Sequence, residues 1–319
     1  MANAVRQPNA TALTVERDRT VQNINSKQNH PHFVQMLKAA DVAHARAERW
    51  ERTRLYIALG SSSGAIIAAF VRDLAPTMAI IGMAGAVIQW VVSFLSQNET
   101  LIATKIQERF DVELFGVTHR DEFKPVPSDE EIGELASKFN GKSNKSDWYI
   151  DVSRLPAPYA IMLCQRENLQ WDWRLRRKWA NRLQTVALTW VTVGIAIALI
   201  ADWSTRDLFL RWLVPSVSGL LLFGTLVVAN RRIAREKQQL ALIIDEKLSI
   251  LPVANENHPL EPGEESELMA QCREYQSRIF RLRNRTERVP VKMYMNQKEN
   301  DEALARAAAS RLRERLLDL

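Results

Sequence analysis

The stretch Arg52–Pro76 reads RTRLYIALGSSSGAIIAAFVRDLAP, and at its centre Gly60 to Gly64 spell GSSSG. Taken alone, that quintet has the composition of a flexible linker. Its flanks argue otherwise. Leu55–Leu59 before it and Ala65–Val71 after it carry no charge, so Leu55–Val71 forms a run of about 17 residues, the short end of a membrane-spanning helix. Only Arg72 and Asp73 separate it from a second uncharged run, Leu74–Leu95, LAPTMAIIGMAGAVIQWVVSFL. Pro76 falls in the first turn of that second helix, where a missing N–H is tolerated. Helices joined so tightly must be antiparallel neighbours. Within such a pair GSSSG reads as a packing joint: Gly60 and Gly64 stand at small-xxx-small spacing, and the serines can bond back to carbonyls one turn earlier.

Two further runs repeat the arrangement. Leu183–Ala201 is LQTVALTWVTVGIAIALIA and Trp212–Ala229 is WLVPSVSGLLLFGTLVVA, with DWSTRDLFLR between them. Buried helices of a soluble bundle are the alternative for each run, but four of them at bilayer length argue for spans. The expected fold is an all-α membrane protein. Four transmembrane helices form two hairpins, and long helices extend from them into a cytosolic helical region. Arg46, Arg49, Arg52 and Arg54 precede the first run. Arg174, Arg176, Arg177, Lys178 and Arg182 precede the third, and Arg231, Arg232 and Arg235 follow the fourth. The charges of the two hairpin turns nearly cancel. The positive-inside rule therefore puts both termini and the central region in the cytoplasm. Trp203 and Trp212 suit the outer interface.

Composition agrees with a part-membrane chain. It has 319 residues, a net charge of +6 and a slightly negative mean hydropathy, which excludes a chain that is membrane throughout. Two cysteines, Cys164 and Cys272, make no disulfide framework and point to a reducing compartment. The polar N-terminus lacks the apolar core of a signal peptide. The expected organisation is a disordered leader at 1–25, a cytosolic helix at 26–54 and a first hairpin at 55–95. A central cytosolic domain at 96–182, a second hairpin at 183–229 and C-terminal cytosolic helices at 230–319 follow.

Helical periodicity continues outside the spans. Phe33, Met36, Leu37, Ala40, Ala43, Ala47 and Trp50 share a face upstream of Leu55 with no breaker between. After the fourth run Ile233, Leu240, Ile244 and Leu248 form a stripe that lasts until Pro252. Further helices are expected over about Glu264–Arg288 and Glu299–Leu317. Ser128, three residues before Glu131, has the spacing of a capping box.

Catalytic chemistry finds no foothold. Gly141-Lys142-Ser143 resembles the end of a phosphate-binding loop, but Ala136 stands where the earlier glycine is required and a helix precedes it. His30 and His32 lack a third ligand at metal spacing. The chain reads as no enzyme, with no cofactor and no metal. Two other features stand out. Weakly polar stripes mark the spans: Gly60 and Gly64; Gly82, Gln89 and Ser93; Thr185, Thr189 and Thr192; Ser218 and Thr225. Such stripes are helix-packing faces or the lining of a water-filled path. The other feature is an aromatic and basic cluster, Trp148, Tyr149, Arg166, Asn168, Trp171, Arg174 and Arg177. Arginine forks bind phosphate and aromatic faces stack on bases. Interface anchoring accounts better for the residues nearest the third span.

The order of parts then becomes recognisable. Gln107-Glu108 with Phe110-Asp111, then Trp148-Tyr149, then Cys164-Gln165-Arg166-Glu167-Asn168 with Trp171-Asp172 and Leu175-Arg176-Arg177, set between two hairpins, resemble the SMODS-associating four-transmembrane effector family over roughly Asn25 to Lys247. Thr118-His119 departs locally from that pattern. The resemblance implies an effector in the bacterial inner membrane, part of cyclic-oligonucleotide-based anti-phage signalling. A partner nucleotidyltransferase makes a cyclic di- or trinucleotide, which the effector binds before opening or disrupting the lipid bilayer and killing the infected cell. A single chain encloses no wide path, so a homo-oligomer is expected. The alternative is a membrane platform that recruits the nucleotidyltransferase or another partner without a pore of its own.

Overall fold

The computed structural model describes residues 24–118, 121–141, 145–253, 260–285 and 307–317. Most of the leader, Lys142-Ser143, His119 and the start of the last expected helix lie outside the described residues. Among those described there is no strand. Helix α1 (Pro31–Phe70) is paired with α2 (Ala75–Phe115) through a 3-10 turn at Arg72–Leu74. Short α3 (Asp129–Ser137) follows, then α4 (Ala157–Ile200), the single turn α5 (Thr205–Leu208), α6 (Val217–Ile250) and α7 (Pro262–Asn284).

Local chemistry sets these boundaries. Pro31 occupies the first turn of α1, and the His30 side chain accepts from the His32 N–H. Gly116, at φ +66°, ends α2 in the left-handed conformation, and the Val117 N–H reaches back to the Val112 carbonyl at 3.1 Å. Ser128 and Glu131 complete the capping box of α3 from both sides. After Pro158 in its first turn, α4 contains no Pro and Gly194 as its one Gly, so one 44-residue rod results.

α1 packs along α2, and α4 packs along α6, giving two antiparallel pairs. The pairs meet mainly through α6, which touches both α1 and α2, and through α7, which touches α2, α4 and α6. At the end away from the hairpin turns, Ile106, Phe110, Leu155, Tyr159, Met162, Leu240, Ile244 and Leu248 build the main core. Residues 307–317 cover it, with Ala309 and Leu316 buried and Arg315 donating to the Leu248 carbonyl at 2.7 Å.

Among the described residues three helices, α2, α4 and α6, are long and apolar enough to cross a membrane. Leu55–Val71, expected as a fourth span, does not meet that description, because five of its residues are glycine or serine. It nevertheless lies alongside the apolar part of α2 and exposes Tyr56, Leu59, Ile66, Ile67 and Phe70. Its opposite face, with Ala58, Ser62, Ala65 and Ala69, is buried against the second pair.

The fourth run also departs from expectation. Phe209–Leu213 forms a π-helical turn, Val214–Ser216 is a turn, and α6 begins only at Val217. Pro215 has no N–H to continue the ladder, so the break falls there. Arg211, on the π turn, donates to the carbonyls of Ala68 and Ala69, both at 3.0 Å, and satisfies the last turn of α1.

Candidate functional site

Residues from five separate parts of the chain converge in the main core. Glu108 and Asp111, one turn apart on α2, are almost wholly buried. Asp111 Oδ1 accepts from the Tyr149 hydroxyl at 2.6 Å, and Tyr149 in turn accepts from Asn168 Nδ2 on α4 at 3.2 Å. Gln276 Nε2 on α7 donates to Glu108 Oε2 at 2.9 Å and Asp111 Oδ2 at 3.1 Å. Gln165 on α4 donates to the Gln276 amide oxygen at 3.1 Å and to the Cys272 carbonyl at 2.9 Å. Arg283 Nη1 lies 2.7 Å from Asp111 Oδ2 and 3.6 Å from Glu108 Oε2. Gln28 clamps the Tyr149 backbone from both sides, accepting from its N–H at 2.8 Å and donating to its carbonyl at 3.3 Å.

The electrostatics follow from burial. Burial lowers the Arg283 guanidinium, but Asp111, Tyr149 and Glu108 outweigh that and raise it above its ordinary value. Burial, reinforced by the Asp111 charge, pushes the Tyr149 hydroxyl well above its usual range, so it stays a donor. Burial also pushes the Cys164 thiol well up and the Cys272 thiol up to about 12. Both thiols are therefore held in the protonated form at neutral pH.

A second buried cluster lies closer to the apolar runs and ties α4 to α6. Arg176 Nε donates to Asp172 Oδ2 at 2.7 Å, and its Nη1 donates to Asn230 Oδ1 at 2.9 Å. Lys237 pairs with the same Asp172 oxygen. Burial would raise the Asp172 carboxyl, yet Arg176 and Lys237 hold it well below the usual carboxylate range. Burial, only partly offset by Asp172 and reinforced by Arg176, pushes Lys237 down to about 8.

The cluster expected to bind a ligand is thus divided. Tyr149 and Asn168 come together, but inside the core. Arg166 is buried and paired with Asp245 of α6, with Nη2 at 3.2 Å from Oδ2, while its Nη1 has no partner. Trp148 is half-buried, with Lys145 Nζ 6.0 Å from its ring. Arg174 lies 5.4 Å over the Trp173 ring and Arg177 is exposed. Eleven residues of α4 separate Arg166 from Arg177, about 16 Å, so these two do not share one site. Trp171 lies on α4 between them.

The polar stripes divide as well. A Cβ on Gly82 would stand 2.5 Å from the Pro215 carbonyl oxygen and one on Gly64 3.1 Å from Met78 Sδ, whereas Gly60 faces open space. Gln89 donates to the Ser218 carbonyl at 2.7 Å, and Ser93 bonds back to Trp90. Thr185, Thr189, Thr192 and Thr225 are exposed in the single chain.

Gln276, Arg283, Asp245, Asn230 and Lys237 were not singled out from the sequence. One signal was present: Cys272, Gln276, Ile279 and Arg283 follow one face of α7, so two polar residues interrupt an otherwise buried stripe. Among the described residues no group of His, Cys, Asp and Glu could hold a metal ion.

The family described as SMODS-associating 4TM effector domain matches residues 22–312. The chain is similar to a probable CBASS effector molecule of Bacillus cereus (strain VD146), 26% identical over 290 residues, which cover 87% of this chain and 94% of the relative. No solved structure matches.

Proposed function

Because the chain belongs to the SMODS-associating 4TM effector family, we propose that it is a membrane effector of bacterial anti-phage defence, gated by a cyclic oligonucleotide. Its head faces the cytoplasm of the inner membrane, and a partner nucleotidyltransferase supplies a cyclic di- or trinucleotide. Binding shifts the helix pairs from a closed to a leaky arrangement, within a homo-oligomer. The observation that carries this reading is the convergence of Glu108, Asp111, Tyr149, Gln165 and Asn168, all in the stretches that define the resemblance, on one charged junction. That junction joins helices that run unbroken into the apolar stretches. A change in the head is therefore mechanically a change in the spans.

Arg166 is the residue best suited to sense the ligand. Its partner Asp245 is partly exposed and its Nη1 is unpartnered, so a ligand phosphate can compete for the guanidinium. Trp148 and Arg174 supply the flanking aromatic and cationic surface. Swinging a two-state population from 1:99 to 99:1 takes about 5.5 kcal/mol of differential affinity, so a few charge-assisted contacts suffice.

Calorimetry of the detergent-solubilised protein with a panel of cyclic di- and trinucleotides tests the reading. One member of the panel binds, and Arg166→Met weakens that binding at least tenfold. A protein that binds none of them is a recruitment platform instead.

A further inference from the structure

The break before α6 creates a polar node within the membrane part of the bundle. Ser61 stands ten residues before the end of the first apolar run, about 15 Å along the helix, half of a bilayer core of about 30 Å. There α1, α2 and the start of α6 meet. Ser62 Oγ accepts from the Gly219 N–H at 3.0 Å and lies 3.4 Å from the Ser216 carbonyl. Trp190 Nε1 donates to Ser216 Oγ at 2.7 Å. The first turn of α6, with its donors and positive dipole end, is thus held inside the bundle.

Two side-chain atoms at this node have no protein partner. Ser218 is fully buried and its Oγ makes no hydrogen bond; Gln89 is 5% exposed and its Oε1 makes none. The two residues are already joined through Gln89 Nε2 and the Ser218 carbonyl. That bond fixes the amide, since the flipped form would set two acceptors against each other. Gly85 lets both hydroxyls come close to α2, since a Cβ there would stand 2.5 Å from Ser61 Oγ and 3.2 Å from Ser218 Oγ. Leaving two buried polar atoms unmatched is unfavourable.

We propose that this node is an intramembrane hydration site, holding water between Gln89 Oε1 and Ser218 Oγ. The chemistry selects water over an ion. Gln89 Oε1 only accepts and so repels an anion, while the start of α6 repels a cation. A neutral molecule that donates to the amide oxygen and accepts from the hydroxyl meets both demands. On the gated-effector reading, this is where a path through the bundle first wets; the site itself does not depend on that reading.

Ser218→Ala separates the possibilities by sign, without nucleotide or leak. If the hydroxyl holds water, its removal lowers the melting temperature of the protein in bilayers. If it is merely an unmatched buried group, removal leaves the melting temperature unchanged or raises it, which overturns the proposal. An experimental map at a resolution that shows ordered water gives the independent measure. Density within hydrogen-bond distance of both Gln89 Oε1 and Ser218 Oγ is expected. Its absence, with either side chain turned to another protein partner, also overturns the proposal.

Discussion

Arg283 faces two carboxylates that have left water, Glu108 and Asp111, with Gln276 and the Tyr149 hydroxyl completing the set. Taking away one partner of such an arrangement strands charge in the core. Arg283→Met should therefore cost about 3–5 kcal/mol, read as a lowered denaturation midpoint. The two cysteines give a second residue-scale prediction. Both thiols are buried and pushed up, so the native protein at neutral pH should not react with a maleimide, whereas the denatured chain takes up two equivalents. The motif residues Glu108, Asp111, Tyr149 and Asn168 were visible in the sequence, but their partnership was not. Hydrogen bonds between residues more than a hundred positions apart, such as Gln276 with Glu108, leave no periodic trace. The aromatic and basic residues suggested an open phosphate site. Burial instead directs Tyr149 to Asp111 and Arg166 to Asp245.

At the scale of helices the sequence was far more informative. Long unbroken apolar periodicity marked α1, α2, α4 and α6, and Ser128 with Glu131 marked the start of α3. Two features escaped because they depend on neighbours. Pro215 breaks the fourth run into a π turn and a new helix, and Ser62 of GSSSG, not its first glycine, faces the second pair. Contact geometry makes this testable. Gly82→Leu forces a side chain against the backbone of Val214 and Pro215 and should lower the melting temperature sharply, while Gly60→Leu, facing open space within one chain, should leave it almost unchanged. The cluster joining α4 to α6 should show in pH dependence. Between about pH 8 and Lys237's ordinary value of 10.5, the unfolded chain keeps a proton that the folded chain has released. The unfolded state then binds more protons, so this site's contribution to stability rises with pH across that window. Lys237→Met should flatten the rise, as seen by comparing melting temperatures of both proteins at pH 8 and pH 10.

The whole molecule consists of two helix pairs held together at three levels. Arg211 caps the end of α1 near the turns, the serine and glutamine node binds α1 and α2 to α6 midway, and the charged junction closes the head through α7. The pairs touch through α6, through α7 and through the π turn at Phe209–Leu213. Thr185, Thr189 and Thr192 of α4 are exposed in the single chain. The central claim is that a cyclic oligonucleotide bound to the head opens the membrane part. Purified protein reconstituted into dye-loaded liposomes tests it most directly. The account predicts release of dye on addition of one cyclic di- or trinucleotide and none without it; release that is the same with every nucleotide and with none would contradict it.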